Sequence, residues 1–152
     1  MRFSFVSKLQ CTACGCCSSK TESLFAMPLE MPDEPSTVEQ LLLSQWGDQP
    51  LDAGNAYVCP SEPPCRSDAV VTRTILPKAW PQVLIVSFKR WRTRVEAGEM
   101  VTEKVATHID FQTLLLVGGG QRPYHLRGVT VHHGERAKGG HYTSFVRASD
   151  NF

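Results

Sequence analysis

Six cysteines and five histidines are the residues of this 152-residue chain whose types could do chemistry. Cys11 and Cys14 lie within Cys11-Thr12-Ala13-Cys14-Gly15-Cys16-Cys17, and Cys59 and Cys65 flank Pro60-Ser61-Glu62-Pro63-Pro64. Zinc takes four thiolates in a tetrahedron, usually from two knuckles far apart in sequence, because each short turn aims two sulfurs at one point. That pattern makes Cys11, Cys14, Cys59 and Cys65 the expected ligands of a structural zinc. The Cys59–Cys65 loop is longer than usual, and its prolines can stiffen it. A degenerate site that has lost its metal, or disulfides, would use the same residues. Cys16 and Cys17 either replace a ligand or are spare. No cysteine precedes a helix start with a cationic neighbour, the setting of an activated nucleophile. Among the histidines, His108, His125 and His132 read as packed or surface residues of strands. His141 differs, because it follows Gly139-Gly140 and opens a strand. An imidazole there can face a cleft whose backbone a ligand approaches closely.

The elements that must position these groups can be read from pattern. Val38, Leu41, Leu42 and Trp46 recur at helical spacing behind a Ser36/Glu39 capping box, which predicts one helix over residues 37–46, ended by Gly47. Strands are expected over residues 1–10, 21–25, 69–75, 83–91, 99–107, 124–132 and 141–146, on β-branched and aromatic content between Gly and Pro breaks. Gly54-Asn55 predicts a turn and Gly118-Gly119-Gly120 a loop. The stretch holding Pro28, Pro32 and Pro35 is expected to be irregular. One helix among many strands implies an α+β fold dominated by antiparallel sheet.

Composition narrows the function classes. Sixteen basic against fifteen acidic residues leave a net charge of +1, which gives no electrostatic case for nucleic acid as a partner. No unbroken apolar run exceeds four residues (Val83–Val86 and Leu114–Val117 are examples), far short of the roughly 20 a membrane span needs. The apolar stretch near the N-terminus is too short for a signal peptide. A reducing, intracellular compartment, cytoplasm or nucleus, is therefore expected, with the cysteines as ligands before disulfides.

Tyr124-His125-Leu126-Arg127-Gly128-Val129 leads to His132-His133-Gly134 and then Gly140-His141-Tyr142-Thr143. In that order these segments closely resemble the Tyr-x-Leu-x-x-Val, His-x-Gly and Gly-His-Tyr-Thr of the ubiquitin-specific protease family. Leu76-Pro77, followed by Val83 to Phe88 and Lys89-Arg90-Trp91, looks like the family's Leu-Pro strand ending in Lys-Arg-aromatic. Asn55 with Tyr57-Val58-Cys59 is similar to the opening of its second zinc knuckle. The resemblance implies a papain-like thiol protease that hydrolyses the bond after the ubiquitin C-terminal glycine, shaped as a hand whose zinc-bearing fingers grip ubiquitin. It assigns the catalytic histidine to His141. Gly139, Gly140 and Tyr142, with His133 and Gly134 on the approach, would line the channel for ubiquitin's tail.

The family's Gly-Asn-Thr-Cys-type nucleophile segment has no counterpart here; Gly54-Asn55-Ala56-Tyr57 shares only two letters with it. Asp150 and Asn151, the only candidates for a third triad member, fall where the family has the preceding turn. The expectation is therefore a partial catalytic domain, fingers about residues 1–75 and C-terminal palm about 76–152, without thumb or nucleophile and inactive alone. The alternatives are a non-catalytic ubiquitin-binding zinc module or pseudoprotease, and a zinc-stabilised β-rich domain with an unrelated partner.

Overall fold

Phe3 and Phe5, two residues apart on a strand, point to one face and begin a core, since successive strand side chains alternate faces. A computed structural model describes residues 2–51, 57–59, 61–63, 65–67, 69–76, 79–136 and 139–148. In chain order the elements begin with β1 (Phe3–Cys11), β2 (Cys17–Leu24), β3 (Met27–Glu30), β4 (Ser36–Thr37) and α1 (Val38–Trp46). There follow β5 (Asp48–Pro50), β6 (Tyr57–Val58), β7 (Arg66–Ser67), β8 (Ala69–Ile75), β9 (Val86–Lys89), β10 (Trp91–Glu96) and β11 (Glu99–Lys104). The last are β12 (Ile109–Asp110), β13 (Leu114–Val117), β14 (Arg122–His125), β15 (Gly128–His133) and β16 (His141–Val146). The chain divides into two units, Met1–Leu29 with Gln40–Ser87, and Glu30–Glu39 with Phe88–Phe152.

In the first unit a four-stranded sheet runs β2-β1-β8-β5, with β1 antiparallel to both β2 and β8. Phe3, Phe5 and Met27 form the core, packed by Leu24, Leu42, Trp46, Ile75 and Leu84. The Trp46 ring meets Phe5 edge-on at 5.1 Å, so the helix docks through the residues that carried its periodicity. The helix starts one residue after the expected Thr37. It ends at Trp46, and Gly47 follows where a Cβ would lie 2.7 Å from the Leu43 carbonyl oxygen, so glycine fits that close approach. Phe5→Ala should destabilise this unit by about 3–5 kcal/mol, read as a lowered denaturant midpoint with an unchanged slope.

The Pro-rich stretch departs from expectation: β3 is regular through Pro28. Met27 N–H donates to the Ile85 carbonyl at 2.7 Å, so the side on which Pro28 lacks a donor faces away from that partner. A strand tolerates proline on such a side. The strand at residues 21–25 is also longer than its pattern, beginning at Cys17 because it zips against β1 from Gln10 onward.

The second unit is a set of two-stranded pairs. Trp91 faces Lys104 across β10–β11, turned by Ala97 and Gly98 at φ 51° and 85°, the left-handed pair a tight hairpin requires. β13 pairs with β14 across Gly118–Gly120, the expected loop. Two expected strands are broken. The 83–91 stretch is regular only from Val86 to Lys89 and then stops at Arg90, whose N–H turns back to the Phe88 carbonyl. The Arg90 guanidinium donates to the carbonyls of Val105 and Thr107, which pins the break. The 124–132 stretch splits at Leu126-Arg127, where Leu126 N–H donates to Thr113 and the Arg127 carbonyl accepts from Arg147 N–H. Each half thus pairs with a different strand. The 99–107 strand stops at Lys104 for a similar reason, as Val105 N–H donates to Arg90. The Gly54-Asn55 turn, Asp150 and Asn151 lie outside the described residues.

Candidate metal centre and histidine rim

Two sites emerge, one in each unit. In the first, Cys11 ends β1 and Gly15, at φ 72°, folds the chain back so that Gly15 N–H donates to the Cys11 carbonyl and Cys11 N–H to the Cys16 carbonyl, both at 2.9 Å. The knuckle so formed presents Cys11 and Cys14. Cys59 follows β6 and Cys65 precedes β7, and the β6–β7 pairing closes their loop. The four sulfurs lie within 4.8 Å of one another, at 3.5 Å for Cys11–Cys65, 3.4 Å for Cys14–Cys59 and 3.6 Å for Cys14–Cys65. Tetrahedral zinc with Zn–S of about 2.3 Å would set sulfurs about 3.8 Å apart, whereas a disulfide needs about 2.05 Å. All six cysteines are free thiols, and the cluster fits a metal ion.

The electrostatics point the same way. The hydroxyl of Ser61, then its N–H, brings Cys59 down to about 6. On Cys65 the Ser61 hydroxyl also acts downward, but hydrogen bonds with Cys11, Cys59 and Cys14 outweigh it and push the thiol up to about 12. Four thiolates this close repel one another, so full ionisation calls for a cation among them. Burial, then the charge of Cys59, pushes Cys16 up, and the Cys17 thiol donates to the Gly15 carbonyl. Both stand outside the four-sulfur cluster.

The second site lies at one end of β15–β16. His133 faces His141 across the pair, and their rings stack 4.7 Å apart at 14°. His141 is exposed at the first position of β16. Gly140 has φ 116°, and a Cβ on it would overlap the His133 carbonyl oxygen and stand 2.7 Å from His132 Nε2. A Cβ on Gly134 would lie 3.1 Å from the Gly140 Cα. Only glycines let the two backbone segments approach this closely. Gly140→Ala should therefore open the β15–β16 end. Amide exchange of His133 and His141 should accelerate while β1–β2 amides are unchanged.

The structure brings together five of the residues expected here: His133, Gly134, Gly139, Gly140 and His141. Tyr142 is exposed next to them, but it is paired with His132 and its ring packs there at 4.9 Å rather than on His141. His132 is more engaged than an ordinary strand residue. Its Nε2 lies 3.0 Å from the Gly139 carbonyl, and its ring meets Trp91 at 5.8 Å. Lys104 Nζ donates to the carbonyls of His132 and Gly134 at 2.9 and 2.8 Å. The His-x-Gly spacing was a signal for His132; nothing local marks Lys104. His108, by contrast, pairs with Asp110 at 2.8 Å at the surface. On the face of β15–β16 that carries His141, Val129, Val131 and Phe145 line an open apolar hollow with Phe111 and Leu126.

The family model for ubiquitin carboxyl-terminal hydrolase matches residues 1–152, and the chain belongs to that family. It is 30% identical over 145 residues to ubiquitin carboxyl-terminal hydrolase 17-like protein D of Mus musculus, covering 93% of this chain and 26% of the relative. To ubiquitin carboxyl-terminal hydrolase 25 of Arabidopsis thaliana it is 26% identical over 151 residues, covering 94% and 21%. The chain thus spans about a quarter of the length of the curated relatives it matches.

Among solved structures, the SAGA Ubp8/Sgf11/Sus1/Sgf73 DUB module bound to ubiquitin aldehyde matches with a TM-score of 0.79 at 22% identity, over 98% of this chain and 34% of that one. The yeast SAGA DUBm carrying an Sgf73 mutant matches with a TM-score of 0.82 at 23% identity, over 98% and 33%. These likenesses carry the fold, and the expected strand-rich α+β architecture with one short helix is what the described residues adopt. Among them no helix is long and apolar enough to cross a membrane.

Proposed function

We propose that this chain is the histidine-bearing part of a thiol-dependent deubiquitinase, with fingers over about residues 1–75 and C-terminal palm over about 76–152. The thumb and its nucleophilic cysteine would lie outside these residues. His141 would take the proton of that thiol and later return a proton to the leaving lysine amine of the ubiquitin conjugate. Gly139 and Gly140, with His133, Gly134 and Tyr142 around them, would form the channel for ubiquitin's narrow C-terminal tail. The apolar hollow on the face of β15–β16 that carries His141 supports a structural partner on that face. Zinc, held by Cys11, Cys14, Cys59 and Cys65, would supply rigidity to the fingers and no chemical step. The reducing compartment that keeps those thiols free is the intracellular one.

The observation that carries this reading is the placement of His141, exposed on the first position of β16 directly after Gly140, where a Cβ would overlap the His133 carbonyl oxygen, in a chain matched throughout by the family model. The isolated chain should not hydrolyse a ubiquitin C-terminal amide or react with a thiol-trapping ubiquitin electrophile. Joined to the thumb and C-terminal end of a relative, it should hydrolyse the amide. Robust turnover by the isolated 152 residues would place the nucleophile among its own cysteines and overturn the proposal.

A further inference from the structure

His132 makes the contacts of a residue that sets geometry for another. It sits on β15, opposite Tyr142, with its ring held between Trp91 at 5.8 Å and Tyr142 at 4.9 Å. Those two neighbours fix the plane of the imidazole. Its Nε2 is then aimed at the Gly139 carbonyl, 3.0 Å away. A carbonyl can only accept, so Nε2 carries the hydrogen. Nδ1 is buried and has no hydrogen-bond partner. A hydrogen placed on Nδ1 would be a buried donor without an acceptor, which disfavours the other tautomer. The base of this arrangement is held by Lys104, whose ammonium donates to the carbonyls of His132 and Gly134.

What this grip controls is the start of β16. One residue, Gly140, separates the gripped carbonyl from His141. Two consecutive glycines leave the backbone more conformers than any other pair, and these conformers point the next residue in different directions. The hydrogen bond from Nε2 to the Gly139 carbonyl, beside a Gly140 position where a Cβ would meet the His133 carbonyl and the His132 ring, narrows that choice.

We propose that His132 is a positioning residue for His141: its Nε2–H holds the Gly139 carbonyl and so fixes the glycine turn from which His141 enters β16. The functional weight of this rests on His141 acting as the catalytic base, but the grip itself is tested without substrate.

The test is solution NMR on isotope-labelled 152-residue chain. Long-range proton–nitrogen spectra should show His132 as the Nε2–H tautomer. His132→Phe keeps an aromatic ring between Trp91 and Tyr142 but removes the donor. It should shift the Gly139 carbonyl carbon and the Gly140 and His141 amides, with β1–β2 resonances unmoved. His132→Gln, whose side-chain amide reaches to a similar distance, should return those signals toward wild type, which a purely packing role would not explain. An Nδ1–H tautomer, a phenylalanine variant with unshifted Gly139–His141 signals, or a glutamine variant no closer to wild type than phenylalanine would overturn the proposal. A failure of His141 as the base would show instead as unimpaired turnover of a His141→Ala enzyme, with these spectra unchanged.

Discussion

His141→Ala, made in the chain joined to a relative's thumb and C-terminal end, should lower turnover on the order of 10²-fold or more, the scale set by general acid–base catalysis. Two steps lose their proton carrier at once. The attacking thiol must ionise unaided, and the leaving amine departs without a donor. Because the side chain is exposed on the first position of β16, its removal should leave stability nearly unchanged. Binding should also survive, so the loss should fall on kcat with little change in KM. His132→Ala should cost less, since it frees the turn without deleting the base. His125→Ala, on the β13–β14 hairpin, should cost nothing measurable. Equal losses from His141 and His132 changes would mean that the chemistry has been placed on the wrong residue.

Metal removal should have the other large effect. Structural zinc contributes about 10–16 kcal/mol of binding free energy at pH 7 in small metal-dependent domains, comparable to the whole stability of a domain. Reduced chain purified with metal present should carry about one zinc per chain, and a strong chelator should release it. Cys11 and Cys59 are almost fully buried, so serine at either should lose the metal and loosen β1, β2 and the β6–β7 loop together. Cys16→Ser and Cys17→Ser should retain it, because neither sulfur joins the cluster. Acidification should release the metal as well. Protons compete with the metal for the thiolates, so metal occupancy should fall as the pH falls. Elemental analysis that finds no zinc under reducing, metal-replete conditions would end this account of the cysteines.

The parts of the molecule that could be read from sequence are those set by local spacing. The α1 pattern worked because Leu42 and Trp46 pack on a single core. Cys11 and Cys14 come together because a Cys-x-x-Cys turn with a permissive Gly15 behind it aims two sulfurs at one point, whereas Cys59 and Cys65 are closed by the β6–β7 pairing. What could not be read depends on distant partners. Arg90 breaks a strand of good β-formers because its guanidinium has two carbonyls to satisfy fifteen and seventeen residues later. Leu126-Arg127 breaks another through Thr113 and Arg147. The run Leu114–Val117 is β13, but four apolar residues show no period from which to assign it. Pro28 sits in a strand because its missing donor faces away from the partner, and sequence does not say which side that is. The His-x-Gly spacing marks His132 but not its contact, since its acceptor, the Gly139 carbonyl, is a backbone atom brought near only by the β15–β16 register.

The most direct test of the central claim is where ubiquitin's tail touches this chain. Labelled chain should be titrated with intact ubiquitin and, separately, with ubiquitin lacking its C-terminal Gly-Gly. Binding should be weak, but intact ubiquitin should give small, saturable shifts at Gly139, Gly140, His141 and Tyr142, and the truncated form should lose them. No shift with intact ubiquitin at millimolar concentration, or the same shifts with both forms, would contradict the assignment of this rim to the ubiquitin tail.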